Sequence, residues 1–164
     1  MPYWACAQSE PQREAAAVRF LQLAQYEVYL PRLRAVRLRN RRKVVVNPPL
    51  FPSYLFVQIT NGWWNARWCP GVARLLSAGD GPLPVPDALI AEIKRREVGR
   101  LVELPQRDGL RVGDRVKVTA GPFTGQLGLY AGMRGSERVL VLLALLGGQV
   151  RTELARDAIE EVRS

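Results

Sequence analysis

Residue types that normally do covalent chemistry are sparse in this chain. Its 164 residues include no histidine and two cysteines, Cys6 and Cys69. A cysteine nucleophile would lack the imidazole base that usually activates it. No Walker A loop, no GxSxG elbow and no cluster with metal-ligand spacing occurs. The two cysteines lie far apart without CxxC spacing, so two buried thiols in a reducing cytosol are expected, not a disulfide or a metal site. Catalysis is not expected, and neither cofactor nor metal is called for. The chemistry on offer is binding, by cations toward an anion and by aromatic rings toward a partner.

The cations come first. Net charge is +9, which points to a polyanionic partner and says nothing about fold. Residues 1–100 carry 15 basic and 7 acidic side chains, a net of +8; residues 101–164 carry 9 and 8, a net of +1. The two parts therefore have different electrostatic duties. The densest charge is Arg32, Arg34, Arg37, Arg39, Arg41, Arg42 and Lys43, with no acid among them. Arg39 to Lys43 separates two β-prone runs and reads as a hairpin tip. Such a tip suits phosphate contact through counterion release, although many basic loops are merely solvated. It offers no means of reading sequence. Arg13 lies near a helix start, where it is either solvated or within reach of a phosphate.

The rings come next. In Asn47 to Ile59, NPPLFPSYLFVQI, Pro48, Pro49 and Pro52 cannot serve in a central ladder, so they read as the entry to a strand over Tyr54 to Ile59. Side chains alternate along a strand. Leu55, Val57 and Ile59 share a core face, and Tyr54, Phe56 and Gln58 share the other. That second face either packs under a helix or docks a partner.

Elements must position these groups. Tyr3 to Ala7 reads as a strand. Ser9 to Gln12 matches a capping box, opening a helix to about Gln25 with Ala17, Phe20, Leu21 and Ala24 buried. Glu27 to Leu38 looks extended, with a bulge expected between Ala35 and Val36. Trp63 to Trp68 fits a short helix; its three tryptophans cannot all share one face, so at least one should lie near the surface. Val72 to Leu76 is a strand. Asp87, a plausible N-cap, opens a second helix to about Arg96, with Ile90 and Ile93 inward. This is a compact α+β domain, an antiparallel sheet flanked by helices, over residues 1–97. Residues 98–110 read as a linker. Residues 111–164 hold short strands at Arg115–Thr119, Gln126–Ala131, Arg138–Leu146, Gln149–Leu154 and Ile159–Val162 with glycine turns, a small all-β barrel of SH3-like type. No apolar run is long enough to span a membrane, and the N-terminus lacks a signal peptide's features. The expected location is the cytoplasm.

Two resemblances follow from quoted residues. The segment from Val112, VGDRVKVTAGPFTGQLGLYAG, resembles a KOW motif, with Gly125 in the place of its central glycine. Trp4, a capped helix, a basic hairpin, FPSYLFV, PGVARLL and a proline-led second helix follow the order of the N-terminal domain of the NusG/Spt5 family of transcription elongation factors. PLFPSYLFV and the tight length look like the specialised bacterial paralogues typified by RfaH. The pattern by which those paralogues read DNA bases is not evident on the first helix here.

The resemblance implies a transcription elongation and antitermination factor, a monomer in the cytoplasm and at the nucleoid, with no membrane partner. Its N-terminal domain would bind the clamp helices of RNA polymerase through Phe51, Pro52, Tyr54 and Phe56, and suppress pausing or termination. The lobe side of the polymerase would meet Trp64, Asn65 and Arg67. Upstream or non-template DNA would pass Arg13, Arg39, Arg41, Arg42 and Lys43. The KOW barrel would recruit ribosomal protein S-ten or Rho through Phe123, unless Phe123 plugs the barrel's open end. The RfaH resemblance also raises a helical form of the C-terminal half that covers the clamp-binding face. Arg138 to Leu146 has fair helix propensity, but six nearby glycines disfavour long helices, so the barrel form is expected. A KOW-type RNA-binding or ribosome-associated protein is the alternative; it leaves the Tyr54/Phe56 face unexplained and puts the charge in the wrong half.

Overall fold

The computed structural model describes residues 1–105 and 128–146. Its centre is an antiparallel sheet of β1 (Tyr3–Ser9), β2 (Glu27–Tyr29), β5 (Tyr54–Ile59) and β6 (Val72–Leu75), in the order β2-β5-β1-β6, with β9 (Pro84–Val85) also on β1. Between β2 and β5 lies a separate ribbon, β3 (Ala35–Arg39) with β4 (Arg42–Val46). Two further small hairpins are β7 (Ser77–Ala78) with β8 (Gly81–Pro82), and β10 (Glu97–Val98) with β11 (Leu101–Val102). The helices are α1 (Glu14–Leu23), α2 (Trp64–Arg67), α3 (Asp87–Arg95) and α4 (Gly135–Leu146). No described helix is long and apolar enough to cross a membrane.

Both faces of the sheet are apolar, as the alternation in β5 requires. Ala5, Ala7, Leu55, Val57 and Ile59 pack with Ala17 and Leu21 of α1 on one face. Trp4, Cys6, Tyr54 and Phe56 form the other, in one cluster with Leu89, Ile90 and Ile93 of α3. The register places Cys6 opposite Phe56 and Ala7 opposite Leu55, so each strand sends neighbouring residues to opposite layers.

Several expectations are corrected. Ser9 ends β1 and its hydroxyl donates to the Glu10 carbonyl, so no capping box forms. Helix α1 starts at Glu14 after Gln12 in the left-handed region, and Ala24 is exposed. Asp87 is the first helical residue of α3, after a Pro86 cap. No bulge separates Ala35 from Val36; the extended segment instead breaks at Pro31, which lacks an N–H, and passes from the main sheet to the ribbon. Residues 98–102, expected within the linker, pair and pack with the domain: Val102 is fully buried and its amide donates to the Arg32 carbonyl.

The largest correction concerns Arg138–Leu146, expected as a barrel strand. It lies in α4, a helix whose buried residues are Arg138, Val141, Leu142, Leu145 and Leu146. They fall at i, i+3, i+4, i+7 and i+8, one helical stripe. The helix starts at Gly135 and ends just before Gly147, so beyond its first residue it is free of glycine. The glycine argument therefore limited its length without preventing it. Gly128 to Ala131, expected to complete a strand, is not in one; Leu129 and Tyr130 are buried in the Phe56 cluster instead. The other expected barrel strands, with Phe123 and Gly125, lie outside the described residues.

A close approach fixes how α1 meets the chain before β6. Gly71 has φ +89°, and a Cβ there would lie 2.8 Å from the Ala17 amide nitrogen. Replacing it forces strain and overpacking together. Gly71→Ala should lower the unfolding free energy by about 1–3 kcal/mol, read as a lower urea midpoint. An unchanged midpoint would contradict this packing.

Candidate functional site

The sequence placed Phe51, Pro52, Tyr54 and Phe56 at one site, and the structure brings them together. The Ser53 backbone has φ 70°, in the turn that leads Pro52 into β5. Phe51 and Phe56 meet edge to face at 6.3 Å, and Tyr29 stacks on Phe56 from β2. Trp4 extends the aromatic row on β1, and the Lys94 ammonium lies over both the Trp4 and Tyr29 rings. The Tyr29 hydroxyl donates to the Glu97 carboxylate. Burial first, and that carboxylate second, push the Tyr29 pKa above its ordinary value. Trp4, Tyr29 and Lys94 are additions that alternation and a tyrosine in β2 could have suggested.

This surface is covered. Phe51 and Phe56 are 0% exposed, in one cluster with Leu89, Ile90 and Ile93 of α3 and with Leu129, Tyr130, Met133 and the apolar stripe of α4. Burying each of Val141, Leu142, Leu145 and Leu146 contributes about 1.5–3 kcal/mol before ordering costs are counted. Two features seat the helix. A Cβ on Gly135 would lie 2.7 Å from Pro52 Cγ, so glycine permits the closest approach. Arg138, 5% exposed, donates from Nε to the Leu50 carbonyl at 2.7 Å and from Nη1 to the Met133 carbonyl at 2.8 Å. Burial, then the charge of Arg37, hold the Arg138 pKa below its ordinary value, with Glu137 acting the other way.

The basic ribbon projects from the domain. Its turn is narrower than the expected tip: Asn40 and Arg41 alone form the loop, both at positive φ, as a two-residue hairpin of this twist needs. Arg39 and Arg42 pair across the last rung, and Leu38 pairs with Lys43. All of these are exposed, as is Arg41. Arg13 is not part of this group; it precedes α1 and faces Glu10 at 3.9 Å.

Trp64, Asn65 and Arg67 share the short helix α2. Trp63 stacks on Trp64 with centroids 4.2 Å apart, and the Arg67 guanidinium lies over the rings of Trp64 and Trp68. Trp68 is 73% exposed and belongs to this surface, although sequence reasoning did not single it out. A cavity of about 420 Å³ opens beside Trp64 and Asn65, with Gln25, Tyr26, Thr60 and Asn61 also in its lining.

Comparison with known proteins identifies the family. Residues 2–94 match the family model described as "Transcription termination factor nusG". A protein named transcription termination/antitermination protein NusG from Thermus thermophilus is 31% identical over 143 residues, covering 79% of this chain and 77% of its own. One of the same name from Staphylococcus aureus is 27% identical over 145 residues, covering 84% and 78%. A solved structure described as "Domain interaction in Thermotoga maritima NusG" matches 75% of each chain at 24% identity with a TM-score of 0.40. The family match spans more than half of the sequence, and this chain belongs to the NusG family.

Proposed function

We infer that this chain is a transcription elongation and antitermination factor that docks on the clamp helices of RNA polymerase through Phe51, Pro52, Tyr54 and Phe56. The observation that carries the reading is the cover itself. A row of aromatic rings on a sheet face is sealed by a helix from the chain's own C-terminal part. Exposed, such a patch would be an interaction surface. In this reading α4 must leave before the polymerase can bind, so the covered form is an inactive store of the docking face. That is the behaviour implied by the RfaH resemblance.

The remaining assignments rest on the same family logic and on chemistry. Trp64, Asn65 and Arg67, with Trp68 beside them, present exposed rings and a cation to the lobe side. Arg39, Arg41, Arg42 and Lys43 present the ribbon tip to upstream or non-template DNA, where each neutralised phosphate releases a counterion. Ribosomal protein S-ten or Rho is the proposed partner of the KOW-like segment, with Phe123 as the first contact to test.

Three measurements test this reading. Gly135→Leu puts a strong helix former into α4 but cannot seat against Pro52, so it disfavours the covered form by about 1–3 kcal/mol, roughly 5- to 150-fold. Recovery of core RNA polymerase in a pull-down should rise by that order; no rise would argue against α4 as the gate. Tyr54→Ala in the Gly135→Leu background should lose that recovery while the circular dichroism of the first domain is kept. Equal recovery would remove the docking site. Neutralising Arg41, Arg42 and Lys43 together should weaken duplex binding in a gel shift and flatten its salt slope by about 2–3. Retained duplex affinity would take the ribbon out of the DNA path.

A further inference from the structure

The end of the ribbon next to the domain and its tip are placed to meet different partners. Pairing places Ala35, Arg37, Arg39, Arg42, Val44 and Val46 on one side, and Val36, Leu38, Lys43 and Val45 on the other. Ala35 packs against the same cluster that holds Phe51 and Phe56. Arg37 shares its face two residues further out, so it stands at the rim of the docking surface. Arg39 and Arg42 lie about 7 Å further toward the tip. Burial first and the charge of Arg37 second lower the Arg138 pKa, with Glu137 acting the other way, so Arg37 lies within electrostatic reach of the seated helix. Arg37 is exposed, and among the described residues no ion pair engages it.

The cover is thus mismatched in charge at one place. Its apolar stripe fits the aromatic row, yet the buried cation within that stripe is within reach of the charge of Arg37 near the start of a helix, where the dipole also disfavours positive charge and Glu137 offsets this only in part. Two main-chain carbonyls accept from Arg138, and among the described residues no carboxylate pairs with it. A different occupant of the same surface would do better with the opposite sign at this point.

We propose that Arg37 belongs to the protein-docking surface, not to the nucleic-acid tip, and that it selects a partner whose apolar ridge is flanked by an acidic side chain. Attraction to that acid, set against repulsion of Arg138, favours exchange of α4 for the partner. Specificity then arises from an attractive contact to one occupant and a repulsive contact to the other. This rests on the docking reading above, and it assigns to protein recognition a residue that the run of basic charge would assign to phosphate.

The test uses the full chain and purified core RNA polymerase, with affinity measured at low and physiological salt. Arg37→Glu should weaken binding by about tenfold or more, and Arg37→Gln by less, with a shallower salt dependence than wild type. Because the introduced carboxylate would also attract Arg138 and hold the cover down, both substitutions are repeated with Gly135→Leu. Loss that persists there supports a direct contact with the partner. Loss that vanishes there assigns the whole effect to α4 and overturns the proposal. Wild-type affinity in Arg37→Glu, together with impaired binding in Tyr54→Ala, also overturns it while leaving the docking reading intact. Unimpaired Tyr54→Ala would sink the docking reading and this proposal together.

Discussion

The structure depends on a strand that is apolar on both sides. In β5, Leu55, Val57 and Ile59 require one cover, and Tyr54 and Phe56 require another. Helix α1 supplies the first from the sequence nearby, and its fit is close enough that Gly71 must lack a side chain. The second cover is composite. Helix α3 supplies Leu89, Ile90 and Ile93, and the rest comes from Leu129 to Leu146, far along the chain. A sheet face that leaves two phenylalanines exposed would cost several kcal/mol of apolar hydration. Something must therefore sit on it, and in this structure α3 and the Leu129 to Leu146 segment do.

The C-terminal part of the cover is held by two kinds of contact. Apolar packing along one stripe supplies affinity without much direction. Direction comes from two local contacts, the Gly135–Pro52 approach and the Arg138 bonds to carbonyls. Both lie at the start of α4, next to the Phe51–Pro52 turn. Disturbing that end removes the seating while leaving the stripe's chemistry unchanged.

Much of the first domain was legible in its residues. The period of two in β5 sorted its residues onto the right two faces, while leaving open what covers the second, and prolines marked where the strand begins. The ribbon and its exposed turn followed from a basic run between β-prone segments. Local capping was misread, because Ser9 and Gln12 have the right types at the right spacing but β1 extends through Ser9. Tertiary pairing with β6 and β5 outweighed a cap worth about 1 kcal/mol. The C-terminal helix was misread for a different reason. RVLVLLALL is apolar at almost every position, so periodicity cannot separate a buried strand from a buried helix. What decides is the surface it meets, and Leu50, which accepts from Arg138 at that surface, lies 88 residues earlier in the sequence.

Direction of charge was the other illegible quantity. Seven basic residues in twelve read as one patch, and counting cannot divide them. The division comes from Pro31 and the register that follows it. Had β2 run on unbroken into β3, the basic side chains would have continued the main sheet and shared its faces. The chain leaves the sheet at Pro31, bridges Arg32 to Pro49 and Leu33 to Val102, and pairs as the ribbon from Ala35, which packs against the aromatic cluster. Every second residue beyond it inherits that direction. Arg37 therefore shares the side of Ala35, although it is itself exposed. A shift of the break by one residue would turn Val36 and Leu38 inward and send Arg37 out, with the same composition and the same net charge.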